Sequence, residues 1–215
     1  MVRKLSELKR RKPFIAERQR FILICEGEKT EIAYFNALKA QYRGAQILIE
    51  YVAPAGVPIT IRDKVRARMV LLRQEQRSNS SAKADTVWAI FDQDEHLKVT
   101  EAIAGCEAAG AQVAYSNPCF EVWLILHHED YHAADDHHQV QKRYQKLDPT
   151  YDPSGSKTPD CAYLMDHVEK AEQFGENQCK RREEEDTPFG RPSTTVYNLT
   201  RAIRAAVEAS RPKRS

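Results

Sequence analysis

Two short segments concentrate carboxylates directly after runs of apolar residues. Phe21-Ile22-Leu23-Ile24-Cys25 leads into Glu26-Gly27-Glu28-Lys29-Thr30-Glu31, and Thr86 to Phe91 (TVWAIF) leads into Asp92-Gln93-Asp94-Glu95. A short continuous apolar run bounded by polar residues is the pattern of a buried strand. Both acidic groups therefore fall at strand ends. On extended backbone, residues two apart point to the same side. Asp92 and Asp94 would then converge on one point, with Glu26 delivered from another strand. Three converging carboxylates repel one another unless a cation neutralises them, and hard oxygen donors select Mg²⁺ or Mn²⁺. Such a cation can activate water and stabilise a phosphodiester in hydrolysis. Alternatively, Glu26 is a general acid or base whose pKa is raised by burial. Gly27 would let a phosphate or metal approach the backbone closely, and the amides opening the next helix would favour an anion. Acidic loops that are merely solvated share this spacing.

The elements that must position these residues alternate. Strands are expected at Phe21–Cys25, Gln46–Val52, Thr86–Phe91 and Ala111–Tyr115. Helices are expected from Thr30 (as N-cap), over Thr60–Arg77 (opened by a Thr60–Asp63 capping box), over Val99–Ala109 up to Gly110, and over Cys119–His128 with Pro118 in its first turn. Four strand–helix repeats imply βαβ units and a largely parallel sheet covered by helices. In such sheets ligands bind beyond the carboxyl ends of the strands. The expected organisation is a basic N-terminal arm over 1–20, an α/β core over 21–128 and a mainly helical extension over 129–215 packed on that core. Within the extension, helix is expected over 160–185 and again from Ser193, with Val196, Leu199, Ile203 and Val207 on one face.

Composition bounds the function. The 215 residues carry 41% hydrophobic side chains and a net charge of +2, enough for a real core and too little charge for a polycation. Nucleic-acid contact would therefore come from local patches, such as the basic arm or the arginines of the Thr60–Arg77 helix. A solvated tail and an ordinary surface helix fit those segments as well. No apolar stretch is long enough to cross a membrane, the first 20 residues lack the apolar core of a secretory signal, and five cysteines form no C-x-x-C pair. The expectation is a cytoplasmic protein with reduced, mostly buried thiols. The histidines between His127 and His138 lack a zinc framework.

Three longer blocks resemble the RloB-like protein family: ILICEGEKTEIAYFNAL (22–38), VWAIFDQDEH (87–96) and AYSNPCFEVWLILHH (114–128). Arg191 to Leu199 (RPSTTVYNL) is similar to a fourth block, with Arg191 where the family pattern has Asn. The resemblance covers roughly residues 20–205. It implies a Toprim-like Rossmannoid sheet flanked by helices, in which Glu26 matches the Toprim glutamate and Asp92 and Asp94 match its D-x-D pair. These are the catalytic and metal-binding residues expected for Mg²⁺ (or Mn²⁺). Glu121, from the third block, is added as a catalytic candidate, as a group beside the metal or a ligand of a second cation. Asn117 of the same block is a helix cap or a functional residue, and His127 is a structural histidine or a catalytic one. Lys29, beside the acidic cluster, is expected to contact a scissile phosphate or to pair with Glu28 or Glu31. Lys157, in DPSGSKT, is a second phosphate candidate. The resemblance further implies a nuclease acting on DNA or RNA, tRNA included, in antiphage or abortive-infection defence, alongside an ABC/AAA-type ATPase. A second copy of the chain is another expected partner. The alternative is a non-catalytic Toprim-like module that docks an ATPase or a nucleic acid.

Overall fold

Phe21 through Cys25 are all fully buried, so alternate side chains must enter two different cores. Phe21, Leu23 and Cys25 join one apolar cluster, while Ile22 and Ile24 join the other. This two-faced burial is the signature of a strand inside a helix-covered parallel sheet. A computed structural model describes residues 19–25, 27, 29–43, 45–51, 58–79, 85–93 and 98–210.

The element order is β1 (Arg20–Cys25), α1 (Thr30–Gln41), β2 (Gln46–Tyr51), α2 (Pro58–Ser78), β3 (Thr86–Asp92), α3 (Val99–Ala108), β4 (Gln112–Asn117), α4 (Glu121–His128), α5 (His137–Leu147), α6 (Cys161–Asp166), α7 (Val168–Glu184), β5 (Ser193–Thr194) and α8 (Val196–Ser210). The sheet order is β2-β1-β3-β4-β5. The first four strands run parallel, and β5 runs antiparallel to β4. The fold is thus α/β and Rossmannoid, with helices following the sheet. Helices α2 and α3 cover one face through Ile61, Val65, Leu72 and Ile103. Helix α1 and the C-terminal helices cover the other, where Tyr34, Phe35, Trp123, Leu126, Val196, Leu199 and Ile203 share one cluster with Leu23 and Ile90. Because α1 and α3 leave β1 and β3 toward opposite faces, the carboxyl ends of these two neighbours form the switch point of the sheet, where a ligand crevice belongs.

Local details differ from the sequence expectations. Thr30 does not cap α1: the cap position is Lys29, and the Thr30 hydroxyl donates to the Lys157 carbonyl at 3.1 Å. Helix α2 begins at Pro58, so Thr60 lies inside it and opens no capping box. A proline suits the first turn because its missing N–H has no acceptor there. Strand β4 extends to Asn117, and α4 starts at Glu121 rather than Cys119. The 160–185 helix is two, α6 and α7, broken at His167. Ser193 and Thr194 pair with Asn117 and Ser116 as a short strand, so the last helix starts at Val196. Helix α5 arises in the polar 129–150 region through a capping box between Asp136 and Gln139.

Three of the five arginines of α2 are engaged by neighbouring groups of the fold. Arg62 pairs with Asp63 and Glu101, Arg68 with Glu50 and Glu75, and Arg73 donates to the Ala109 carbonyl. The basic arm falls outside the described residues, save Gln19 and Arg20. No described helix is long and apolar enough to cross a membrane. All five cysteines are free thiols.

Candidate active site

Asp92 is the last residue of β3, half-buried and in register with Ser116 of β4. On the neighbouring strand Cys25 is the partner of Ile90, so β1 and β3 end side by side. Asp92 therefore stands at the switch point. Glu26 and Asp94, expected to share a cation with it, lie outside the described residues.

A second pair of carboxylates is fully placed. Glu121 opens α4 and is only 4% exposed. A carboxylate so buried needs donors. The Tyr151 hydroxyl donates to Glu121 Oε1, and Gln141 Nε2 donates to the same oxygen at 3.2 Å. Glu31, in the first turn of α1, is 7% exposed. Its carboxyl lies against the Gly27 backbone: a Cβ on residue 27 would meet Glu31 Oε2 at 1.9 Å. A side chain at residue 27 would displace the Glu31 carboxyl from this position.

Burial pushes the Glu31 carboxyl up to about 7; a hydrogen bond from its own backbone opposes this, the Glu121 charge adds to it and Lys157 offsets part of it. Near neutral pH Glu31 can both hold and release a proton. The Cys119 thiol is pushed up by burial first, and then by the charges of Glu121 and Asp92. Asp92 and Glu121 thus share one electrostatic neighbourhood, and Cys119 remains protonated.

Lys29 and Lys157 belong to a strap across the start of α1. The segment 152–158 turns on Asp152, whose carbonyl accepts from Gly155 N and Lys157 N. Lys157 takes a left-handed φ of 51°. Lys29 Nζ donates to the Gly155 carbonyl at 2.9 Å, beside the Thr30–Lys157 bond. Lys29 thus holds the strap, while the Lys157 ammonium bears on Glu31.

Asn117 does not cap α4. The cap position is Phe120, without a side-chain bond. Asn117 instead donates from Nδ2 to the Phe189 carbonyl at 2.5 Å and accepts from Arg191 Nε at 3.2 Å. The arginine that departs from the family pattern is thus used to anchor the segment before β5. His127 is fully buried, with Nδ1 on the Trp123 carbonyl and Nε2 on the Tyr34 hydroxyl. Burial pushes its pKa down to about 3, so it is a neutral, structural imidazole. Among the described residues no three His, Cys, Asp or Glu side chains are placed to hold a metal together.

In the sequence Glu31 stands in the acidic run without being marked out as a site residue, and neither Tyr151 nor Gln141 is marked there at all. A glutamate in the first helical turn after a glycine was the available signal for Glu31. No spacing rule connects Glu121 to Gln141 and Tyr151, 20 and 30 residues away.

Sheet order, switch point and buried carboxylates define a Rossmannoid α/β protein with carboxylates gathered near the carboxyl ends of its central strands. A family model described as RloB-like protein matches residues 21–203, and the chain belongs to the RloB-like family. No curated protein and no solved structure matches it.

Proposed function

We propose that this protein is a Mg²⁺-dependent nuclease that hydrolyses phosphodiester bonds of DNA or RNA, with a Toprim-like arrangement of acids. The observation that carries the reading is Asp92 at the switch-point end of β3, in the electrostatic neighbourhood of Glu121. The donor set suits a hard cation, since the acids are oxygen donors and the neighbouring Cys119 thiol keeps its proton. Glu26, Asp92 and Asp94 would hold Mg²⁺ or Mn²⁺. Bound there, the cation would supply an activated water and neutralise charge on the scissile phosphate.

The remaining work falls to the chain's own side chains. Tyr151 and Gln141 hold Glu121 in one orientation beside the site. Glu31 can release or take up a proton near pH 7, as general acid–base chemistry requires. Lys157 is the cation available to a substrate phosphate, with Lys29 fixing the strap that presents it. Family membership supports a role in antiphage or abortive-infection defence in the cytoplasm, with an ABC/AAA-type ATPase as partner, because the chain carries no nucleotide-triphosphate motif of its own.

The test is a cleavage screen with Mg²⁺ or Mn²⁺ against plasmid, linear and single-stranded DNA, total RNA and tRNA. Metal-dependent cleavage by the wild type should fall at least about 100-fold in Glu26→Gln and in Asp92→Asn, both checked for folding. A folded wild type that neither cleaves nor binds Mg²⁺ by calorimetry would leave a non-catalytic docking module.

A further inference from the structure

A cavity of about 550 Å³ opens at the β4 edge of the sheet, between α3 and the α7–α8 layer. Its size is that of a ligand pocket. The walls include Trp88, Tyr115, Phe189 and Tyr197, together with Glu107 and Glu183. None of these residues belongs to the carboxylate group of Asp92, Glu31 and Glu121.

The charge of this cavity is unusual. Glu107 lies in the last turn of α3 and Glu183 in the last turn of α7. The C-terminal end of a helix carries partial negative charge, which disfavours a carboxylate there. Two helices thus bring their C-terminal ends and one acid each to the cavity, although the last turn of α7 also carries Arg181 and Arg182. Neither carboxylate has an ion-pair partner among the described residues; nearby, Arg182 pairs with Glu185 instead. The Glu183 charge is felt within the wall, where it adds to the effect of burial in raising the Tyr115 phenol and the Cys179 thiol.

An anion, a nucleic-acid backbone included, is repelled by such a site. A bare metal ion would find two carboxylates in a space far larger than its coordination shell. A flat organic cation satisfies both features, because aromatic faces attract a guanidinium and carboxylates bind it through paired N–H groups. The chain uses the same chemistry next door, where the Arg201 guanidinium lies 5.1 Å from the Tyr197 ring centre.

We propose that this cavity binds a guanidinium group, held between its aromatic walls and the Glu107 and Glu183 carboxylates. The group is carried either by a free small molecule or by an arginine side chain of a polypeptide. The wall at Pro188 and Phe189 is tied to β4 through Tyr115 Oη, which donates to the Pro188 carbonyl at 3.3 Å, and through Asn117. Asn117 follows Ser116, the register partner of Asp92, so an occupant presses on a wall bonded to the strand beside Asp92.

The experiment titrates the full chain with two guanidinium probes, agmatine and a capped Gly-Arg-Gly peptide, and with the capped Gly-citrulline-Gly peptide as neutral isostere. Calorimetry and tryptophan fluorescence report binding. Trp88 lies in the cavity wall, whereas Trp123, the other tryptophan, is fully buried and does not line the cavity. Saturable binding of a guanidinium probe is expected, weakened about tenfold or more in Glu107→Gln and in Glu183→Gln, and absent for the citrulline peptide. Both glutamates are exposed, so circular dichroism of the variants should match the wild type. Agmatine binding as well as the arginine peptide assigns a free small molecule; binding by the peptide alone assigns an arginine side chain. No saturable signal with either probe, equal binding of the citrulline peptide, or unchanged affinity in both variants overturns the proposal.

Discussion

Glu31 illustrates what burial does to a single side chain. Its folded pKa, about 7, stands above the ordinary value of 4.5, chiefly through desolvation. Between those values the native state binds more protons than the unfolded chain, so its contribution to stability is fully present below about pH 4.5. That contribution is lost as pH rises through 7. Replacing the carboxyl by an amide removes this dependence. Glu31→Gln is expected to unfold at higher urea than the wild type at pH 8, by about 1–3 kcal/mol, and to differ little at pH 5. Urea titrations at both pH values check the sign; equal differences at pH 5 and pH 8 would contradict it. Such a residue is hard to read from sequence, because Glu26, Glu28 and Glu31 look alike there. Only the folded backbone shows that Gly27 leaves room for the Glu31 carboxyl.

At the scale of elements, apolar runs were enough to foretell β1 through β3 and the start of β4. β1 and β3 bury both faces and announce this by five consecutive apolar residues, whereas β2, at the sheet edge, carries three. Strand β5 has two polar residues, Ser193 and Thr194, and exists because Ser116 and Asn117 are available to pair with it. No local pattern carries that information. Helix α5 was missed for the opposite reason: only Val140 and Tyr144 are buried, so its apolar stripe is thin. The strap over α1 was legible only as a turn-rich loop. Its attachment is specific, however, and one bond can be removed cleanly. Thr30→Val keeps the shape and deletes the donor to the Lys157 carbonyl. It should cost about 1 kcal/mol and expose the 152–158 segment to limited proteolysis sooner than in the wild type. An unchanged cleavage pattern would show that the Lys29 bond alone holds the strap.

Across the whole molecule, the C-terminal helices are part of the same core as the first strand. Val196, Leu199 and Ile203 of α8 are fully buried in one cluster with Phe21 and Leu23. Each such side chain contributes roughly 1.5–3 kcal/mol by burial, and a whole domain is stable by only about 5–15 kcal/mol. A chain ending at Thr195 should therefore lose its cooperative thermal transition and aggregate; calorimetry and size-exclusion chromatography would show this. The strap adds a consequence in time. Lys29 meets Gly155, and Thr30 meets Lys157, across 126 and 127 residues of chain. At about 5–20 residues per second, a ribosome needs several to tens of seconds to make that stretch. Throughout that interval the emerging chain carries Glu31 without Lys157, and then Glu121 without Tyr151. Any product of interrupted synthesis that stops before Lys157 lacks the assembled cluster, so fragments of this protein are born without a complete site.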